Sequence, residues 1–284
     1  MDYRRKIRQL LLFLRRTLWR GPVRKVVEQL NLRPALETAY WSFLRITSPP
    51  TTTLQLEGAS AEYGTESLIE VLRFNEDVTL GGEKPVLTDL LKTIRPDDVF
   101  YDIGACTGMY SCLVGDKLSN GSIVAVEPHP DNFRRLNENL SRNDIPSRSF
   151  QLALSNRSES ATLHLDEREE PGAGGHTLEG DDSSSRSLTV HTLPGDQLIT
   201  DESLSRPTIL KIDVEGAEKE VLQGFSETLR TDNCRLVYCE VHKPQLEKKG
   251  LSTDAIRGIL QEAGFKTSII HERQDQSFLK GSRS

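Results

Sequence analysis

The sequence predicts an α/β fold, a parallel sheet with helices on both faces. Three observations predict it. Short apolar strands alternate with helical stretches from Asp98 onward. The strands are near-continuous apolar runs, as burial on both faces requires. A glycine loop joins the first strand of this series to a helix.

The elements follow in order. Residues 1–25 hold nine basic side chains and one acid, Asp2, so the remaining chain carries −14 of a total charge of −6. Ile7, Leu10, Leu11, Leu14 and Leu18 fall at helical spacing and predict a basic amphipathic helix. Its plain reading is a helix packed on its own domain. Its functional reading is peripheral contact with an anionic lipid surface at the inner membrane face. A second helix is expected over 31–47, ended by Pro49-Pro50. A hairpin is expected between Thr52 and Tyr63 with its turn at Gly58, and helices over 68–74 and 85–94. Residues 1–82 thus read as an accessory region and 83–284 as the main domain.

VFYDIGA is the first strand of the main pattern, followed by a helix from Met109 to Leu118. SIVAVEP is the second strand, followed by a helix from Asp131 to Arg142. FQLALS, over 150–155, reads as one strand. ATLHL and SLTVHTL read as two added strands around the stretch 166–186, which has seven acids, four glycines and a Ser triplet. That composition predicts a mobile exposed loop, with a lid over an acceptor as the alternative. TILKIDVEG and RLVYCEVH are further buried strands, separated by a helix from Ala217 to Arg230.

Composition excludes several classes. With 36 basic and 42 acidic residues, the 284-residue chain is not built to coat nucleic acid. Cys106, Cys112, Cys234 and Cys239 have neither disulfide-scaffold density nor zinc spacing. The apolar run Leu10–Leu14 is too short for a membrane span or a signal peptide. A cytoplasmic protein is the expectation.

The loop Asp102-Ile103-Gly104-Ala105-Cys106-Thr107-Gly108 lets a ligand approach the backbone. Glu127 ends the next strand, where an acid accepts both hydroxyls of a ribose. The glycines do not match G-x-G-x-x-G, and no Walker lysine follows. Asp102 ahead of the first glycine disfavours a pyrophosphate and suits an ammonium group. S-adenosylmethionine offers both features: the loop suits its amino-acid end and Glu127 its ribose.

The stretches DIGACTGMYS, VAVEPHPDNFRRLNENLSRN, LALS, VHTLPGDQLI, LKIDVEGAEKEVLQGF and CEVH resemble the FkbM family of class I S-adenosylmethionine-dependent methyltransferases. The most specific of them is Lys-Ile-Asp-Val-Glu-Gly-Ala-Glu at 211–218. The resemblance implies a Rossmann-like, seven-stranded, mostly parallel sheet. It implies methyl transfer, usually to oxygen, often in glycan or natural-product pathways. Asp102, Gly104, Ala105 and Gly108 match the cofactor loop, flanked by Thr107 and Tyr110. Glu127 matches the ribose acid, Pro128 lies near the adenine, and Leu154 and Ser155 fall where the adenine edge is read. Asp213 closes the fourth strand beside the reacting centre, and Glu83 matches an acid facing the methionine end. Cys106 stands where the family's loop usually has Asn. That departure removes a side-chain polar contact and leaves the backbone cradle.

For a hydroxyl acceptor a base must take the proton. Asp213, Glu215, Glu240 and His242 all lie at strand C-termini, the edge where open parallel sheets bind ligands. Asp213 and Glu215 rank first for positioning or proton removal, and His242 is the other candidate base. No dedicated metal-ligand spacing is visible, although Asp213, Glu240 and His242 are chemically competent ligands. Two alternatives stand beside O-methylation. One is a non-catalytic module of the same fold that binds a membrane or polymer through its basic arm. The other is methyl transfer to nitrogen or a carboxylate.

Overall fold

The computed structural model describes residues 49–74, 83–165, 172, 174–178 and 186–283, with Gln29 and Ser42. The two expected N-terminal helices therefore lie outside the described residues, apart from those two positions.

Strands β1 (Thr51–Leu56) and β2 (Ala59–Gly64) form the expected hairpin. Glu57 and Gly58 make its two-residue turn, both with positive φ (50° and 78°), as the twist of a tight hairpin demands. Helices α1 (Leu68–Arg73) and α2 (Lys84–Thr93) follow. The main series then runs β3 (Val99–Ile103), α3 (Met109–Gly115), β4 (Ser122–Val126), α4 (Pro130–Arg142) and β5 (Ser147–Phe150).

After β5 the chain leaves the main sheet. The segment 150–155, expected as one strand, is divided at a bend. Its second half, β6 (Ala153–Ser155), pairs parallel with β8 (Ser187–Pro194) in a separate three-stranded sheet that also holds β7 (Glu159–His164). A short apolar run carries no periodic mark of such a bend. Helix α5 (Gly195–Asp201) leads to β9 (Ile209–Ile212). The helix expected from 217 to 230 is also divided, into α6 (Glu218–Gly224) and a 3₁₀ turn, Thr228–Arg230. The Asp196 carboxylate accepts the Glu227 and Thr228 N–H groups at 2.7 and 3.0 Å, which holds the second piece apart. Strand β10 (Leu236–His242), helices α7 (Lys243–Lys248) and α8 (Thr253–Glu262), and strands β11 (Lys266–Glu272) and β12 (Gln276–Ser282) complete the chain.

The main sheet has seven strands in the order β11-β12-β10-β9-β3-β4-β5. All neighbours are parallel except at β12, which runs antiparallel to both of its partners. Side chains alternate across it. Phe100, Ile123 and Ile209 enter the core under α2, α3 and the hairpin, while Tyr101, Val124 and Leu210 enter the core under α5, α6 and α8. The chain leaves β3 for β4 on one side and later returns to β9 on the other. That reversal opens a crevice at the carboxyl ends of β3 and β9.

Candidate active site

A cleft of about 250 Å³ occupies that crevice. Its floor is the glycine loop after β3. Gly104 takes φ 75°, and a Cβ there would lie 1.8 Å from the Asp213 carbonyl oxygen. Only glycine lets the loop seat on the end of β9. Gly108 turns the chain into α3 at φ 85°. Cys106 also has positive φ, 50°, without being glycine.

Glu127 lies at the cleft wall and is 5% exposed. Its carboxylate accepts the Cys106 N–H at 2.8 Å and the His129 N–H at 2.9 Å. Burial pushes its pKa up to about 7, against the pull of those two N–H groups. Pro128 and Leu154 line the same end. Glu83 also lines the cleft, where it accepts the Tyr110 hydroxyl at 2.6 Å.

Asp102 is a correction to the expected ammonium contact. It is fully buried and does not line the cleft. Its Oδ2 accepts the Ser111 N–H and hydroxyl at 3.1 and 2.7 Å, and its Oδ1 lies 3.0 Å from Lys211 Nζ. Parallel register sets Asp102 directly beside Lys211 on the neighbouring strand. Lys211 donates to the Gly104 carbonyl at 3.0 Å and reaches Asp213 Oδ2 at 3.6 Å. Although burial opposes its charge, the Asp102 and Asp213 carboxylates hold its pKa above the ordinary lysine value. Asp102 thus acts behind the loop, through a lysine that itself lines the cleft. Thr107, Gly108 and Ser155 also stand back from the cleft lining. Thr107 is buried with its carbonyl accepting Asn139 Nδ2 at 2.8 Å, and the Ser155 carbonyl faces the Gly224 backbone.

Asp213, Glu215 and Glu240 line the cleft where β9 and β10 end, and His242 is packed directly behind them. His242 Nε2 lies 3.3 Å from Glu215 Oε2, 3.8 Å from Asp213 Oδ1 and 3.8 Å from Glu240 Oε1. Its Nδ1 is 2.8 Å from Glu218 Oε1. Burial lowers the His242 pKa, but the Glu218 hydrogen bond and the Glu215 and Asp213 charges outweigh it and raise it to about 10. An imidazolium has no lone pair, so His242 with this proton is not the acceptor's base. Burial raises the Glu215 and Glu240 carboxyls, and the Asp213 charge raises both further. Glu215 adopts positive φ, 50°, and its carboxylate accepts the Gly175 N–H at 3.0 Å. Thr177 donates its hydroxyl to the Glu215 carbonyl at 2.7 Å. The described residues 174–178 of the acidic stretch are therefore tied to the cleft rim, with His176 stacked on His129 at 4.5 Å.

Three contributors escaped the sequence reading. Lys211 had a signal, a charge within a buried strand that is expensive without a partner. Glu218 reads as an acid at a helix start and is also the fully buried partner of His242. Arg273, in the connection between β11 and β12, lines the cleft and carries no motif.

The cleft suits S-adenosylmethionine. Its lining offers a buried carboxylate suited to a diol, further acids suited to an ammonium, and apolar side chains. This architecture and cleft define a class I S-adenosylmethionine-dependent methyltransferase. The family described as "Methyltransferase FkbM domain" matches residues 102–267. Hexuronic acid methyltransferase AglP of Haloferax volcanii is 30% identical over 229 residues, covering 81% of this chain and 87% of that protein. The 31-O-demethyl-FK506 methyltransferase FkbM of Streptomyces tacrolimicus is 27% identical over 175 residues, covering 52% of this chain and 67% of its own. The crystal structure of methyltransferase FkbM from Methylobacillus flagellatus KT aligns at TM-score 0.48 and 15% identity, covering 75% of this chain and 52% of that one. The chain belongs to the FkbM methyltransferase family. Among the described residues no helix is long and apolar enough to cross a membrane.

Proposed function

We propose that this enzyme transfers a methyl group to a hydroxyl oxygen of a sugar in glycan or natural-product biosynthesis. The observation that carries the reading is the group of carboxylates, Asp213, Glu215 and Glu240, gathered at the acceptor end of the cleft. Carboxylates are strong acceptors for hydroxyl donors, and a sugar presents several hydroxyls at once.

S-adenosylmethionine, when bound, supplies a methyl on a positive sulfur. The protein's part is to bind, align and manage a proton. Glu127 accepts the ribose hydroxyls, and Pro128 and Leu154 flank the adenine. The Gly104 and Ala105 backbone gives close approach. Glu83, tied to Tyr110, and Asp213 face the ammonium. Asp102 positions this end through Lys211. Asp213 and Glu215 orient the acceptor hydroxyl, and Glu215, whose burial favours protonation, takes its proton. Arg273 is a cation among the lining residues at the acceptor side, and it matches the carboxylate of a uronic acid. The relative named a hexuronic acid methyltransferase supports that choice.

The test uses S-adenosylmethionine with a deuterated methyl group and two acceptors, a glucuronate-terminated oligosaccharide and its neutral analogue. The expected product is an alkali-stable methyl ether, formed faster on the glucuronate. An alkali-labile methyl ester, or label on nitrogen only, would overturn the hydroxyl reading.

A further inference from the structure

The strongest feature that methyl transfer leaves unused is the far nitrogen of His242. The side chain is 3% exposed, and Nε2 is buried without a hydrogen-bond partner among the described residues. Its other nitrogen is fixed by Glu218 at 2.8 Å, and the same Glu218 oxygen accepts the Gly216 and His242 N–H groups at 3.0 and 3.2 Å. The ring is thereby locked with Nε2 aimed at Glu215, Asp213 and Glu240. A carboxylate–histidine pair whose second nitrogen faces further carboxylates is the arrangement that orients imidazole toward a metal, and a cation bound there takes the Nε2 lone pair in place of its proton.

We infer that Asp213, Glu215 and His242 bind one divalent cation of the Mg²⁺ or Mn²⁺ class at the acceptor end of the cleft. One donor atom from each of the three residues lies within 4.8 Å of the others. Ligands about 2.1 Å from an octahedral ion and at right angles stand about 3 Å apart. The 3.3 Å and 3.8 Å separations from Nε2 are close to that spacing and need only small side-chain adjustments. Asp213 serves two cations at once: Oδ2 faces Lys211, and Oδ1 faces His242. A donor set of one imidazole and two carboxylates favours Mn²⁺ over Ca²⁺. Glu240 stands beside the three as a further oxygen.

The inference deepens the hydroxyl reading and rests on it for its purpose. Two neighbouring sugar hydroxyls would complete the coordination. A bound hydroxyl becomes more acidic, which eases transfer of its proton to the Glu215 oxygen that the cation leaves free.

Full-length protein stripped of metal is titrated with Mn²⁺ and followed by electron paramagnetic resonance. One bound ion per chain is expected. Asp213→Asn and His242→Ala should each remove binding at least tenfold. Glu218→Gln should weaken it about 10–100-fold through the second nitrogen. Glu202→Gln, a surface acid paired with Arg148, should leave it unchanged. Asp213→Asn is isosteric at a side chain that is 27% exposed, so it keeps the test open if His242→Ala fails to fold. No saturable Mn²⁺ binding by the native chain, or binding that survives Asp213→Asn, would overturn the site. Methyl transfer only to nitrogen with Mn²⁺ bound at these residues would sink the hydroxyl reading and leave the metal site standing. Hydroxyl transfer without Mn²⁺ binding would sink the metal site alone.

Discussion

Glu127 is an acid that folding holds near half-protonation at neutral pH, because burial raises its pKa to about 7 from 4.5. In the role proposed for Glu127, ribose hydroxyls donate to the ionised form, so cofactor binding should strengthen as pH rises through that value. The linkage to stability has the opposite sense. Between about pH 4.5 and 7 the unfolded chain has lost this proton and the folded one has not, so this group's contribution to stability falls as pH rises. Cys106, which gives its N–H to Glu127, sits in the left-handed region at φ 50°. Asn tolerates that region better than other side chains. Cys106→Asn should therefore stabilise the protein by about 0.5–1 kcal/mol, or about 1–3 °C in a thermal melt. An unchanged or lower Tm would show that the strain is relieved elsewhere. At this scale Glu127 was legible because strand end and loop spacing mark it. The true partner of Asp102 was not, because Lys211 reaches it only through the register of two strands far apart in sequence.

A buried guanidinium ties α1 to the sheet domain, beside the hairpin's own packing in the core. Arg135 of α4 is fully buried, with Nε 2.8 Å from Glu70 Oε1 and Nη1 3.1 Å from Glu66. Glu70 is fully buried as well. Asn139 of α4 and Asn143, which caps its C-terminus, meet the edge of β2: Asn139 accepts the Gly64 N–H at 3.0 Å, and Asn143 accepts the Glu62 N–H at 2.7 Å. An otherwise open edge strand is satisfied by side chains rather than by another strand. Arg135→Ala leaves Glu70 buried and unpaired and should lower stability by about 3–5 kcal/mol in urea denaturation. The double variant Arg135→Met with Glu70→Gln should recover part of the loss, since both charges go while an acceptor remains for the Glu66 and Ser67 N–H groups. A loss below about 1 kcal/mol for Arg135→Ala would show that apolar packing and the two asparagines dock this region without the ion pair. The strands β3, β4, β9 and β10 were legible as apolar runs bounded by turn residues. The split after β5 and the break after α6 were not, since both are set by contacts with distant elements, β8 in one case and Asp196 in the other.

Across the whole molecule, the reversal of strand order between β3 and β9 decides where the cleft opens. It brings a loop near residue 104, an acid at 127, a motif at 213–215 and strand ends at 240–242 to one cleft. The family motif made one part of the cleft lining, Gly104, Ala105, Glu127 and Pro128, readable from the chain. The acceptor side was less so, because Arg273 and residues 174–178 reach the cleft from segments without periodicity. The same topology has a direct thermodynamic consequence. If the sheet edge holds S-adenosylmethionine with Glu127 on its ribose, one carboxylate should govern affinity and its pH dependence. Isothermal titration of the full chain with S-adenosylmethionine at pH 6 and pH 8 measures this. The expected result is about tenfold tighter binding at pH 8, a Glu127→Gln variant with flat pH dependence, and a Glu127→Ala variant weaker by about 10–100-fold, as loss of a charged hydrogen-bond acceptor implies. Native affinity in Glu127→Ala, unchanged between the two pH values, would contradict the assignment of the cofactor to this cleft.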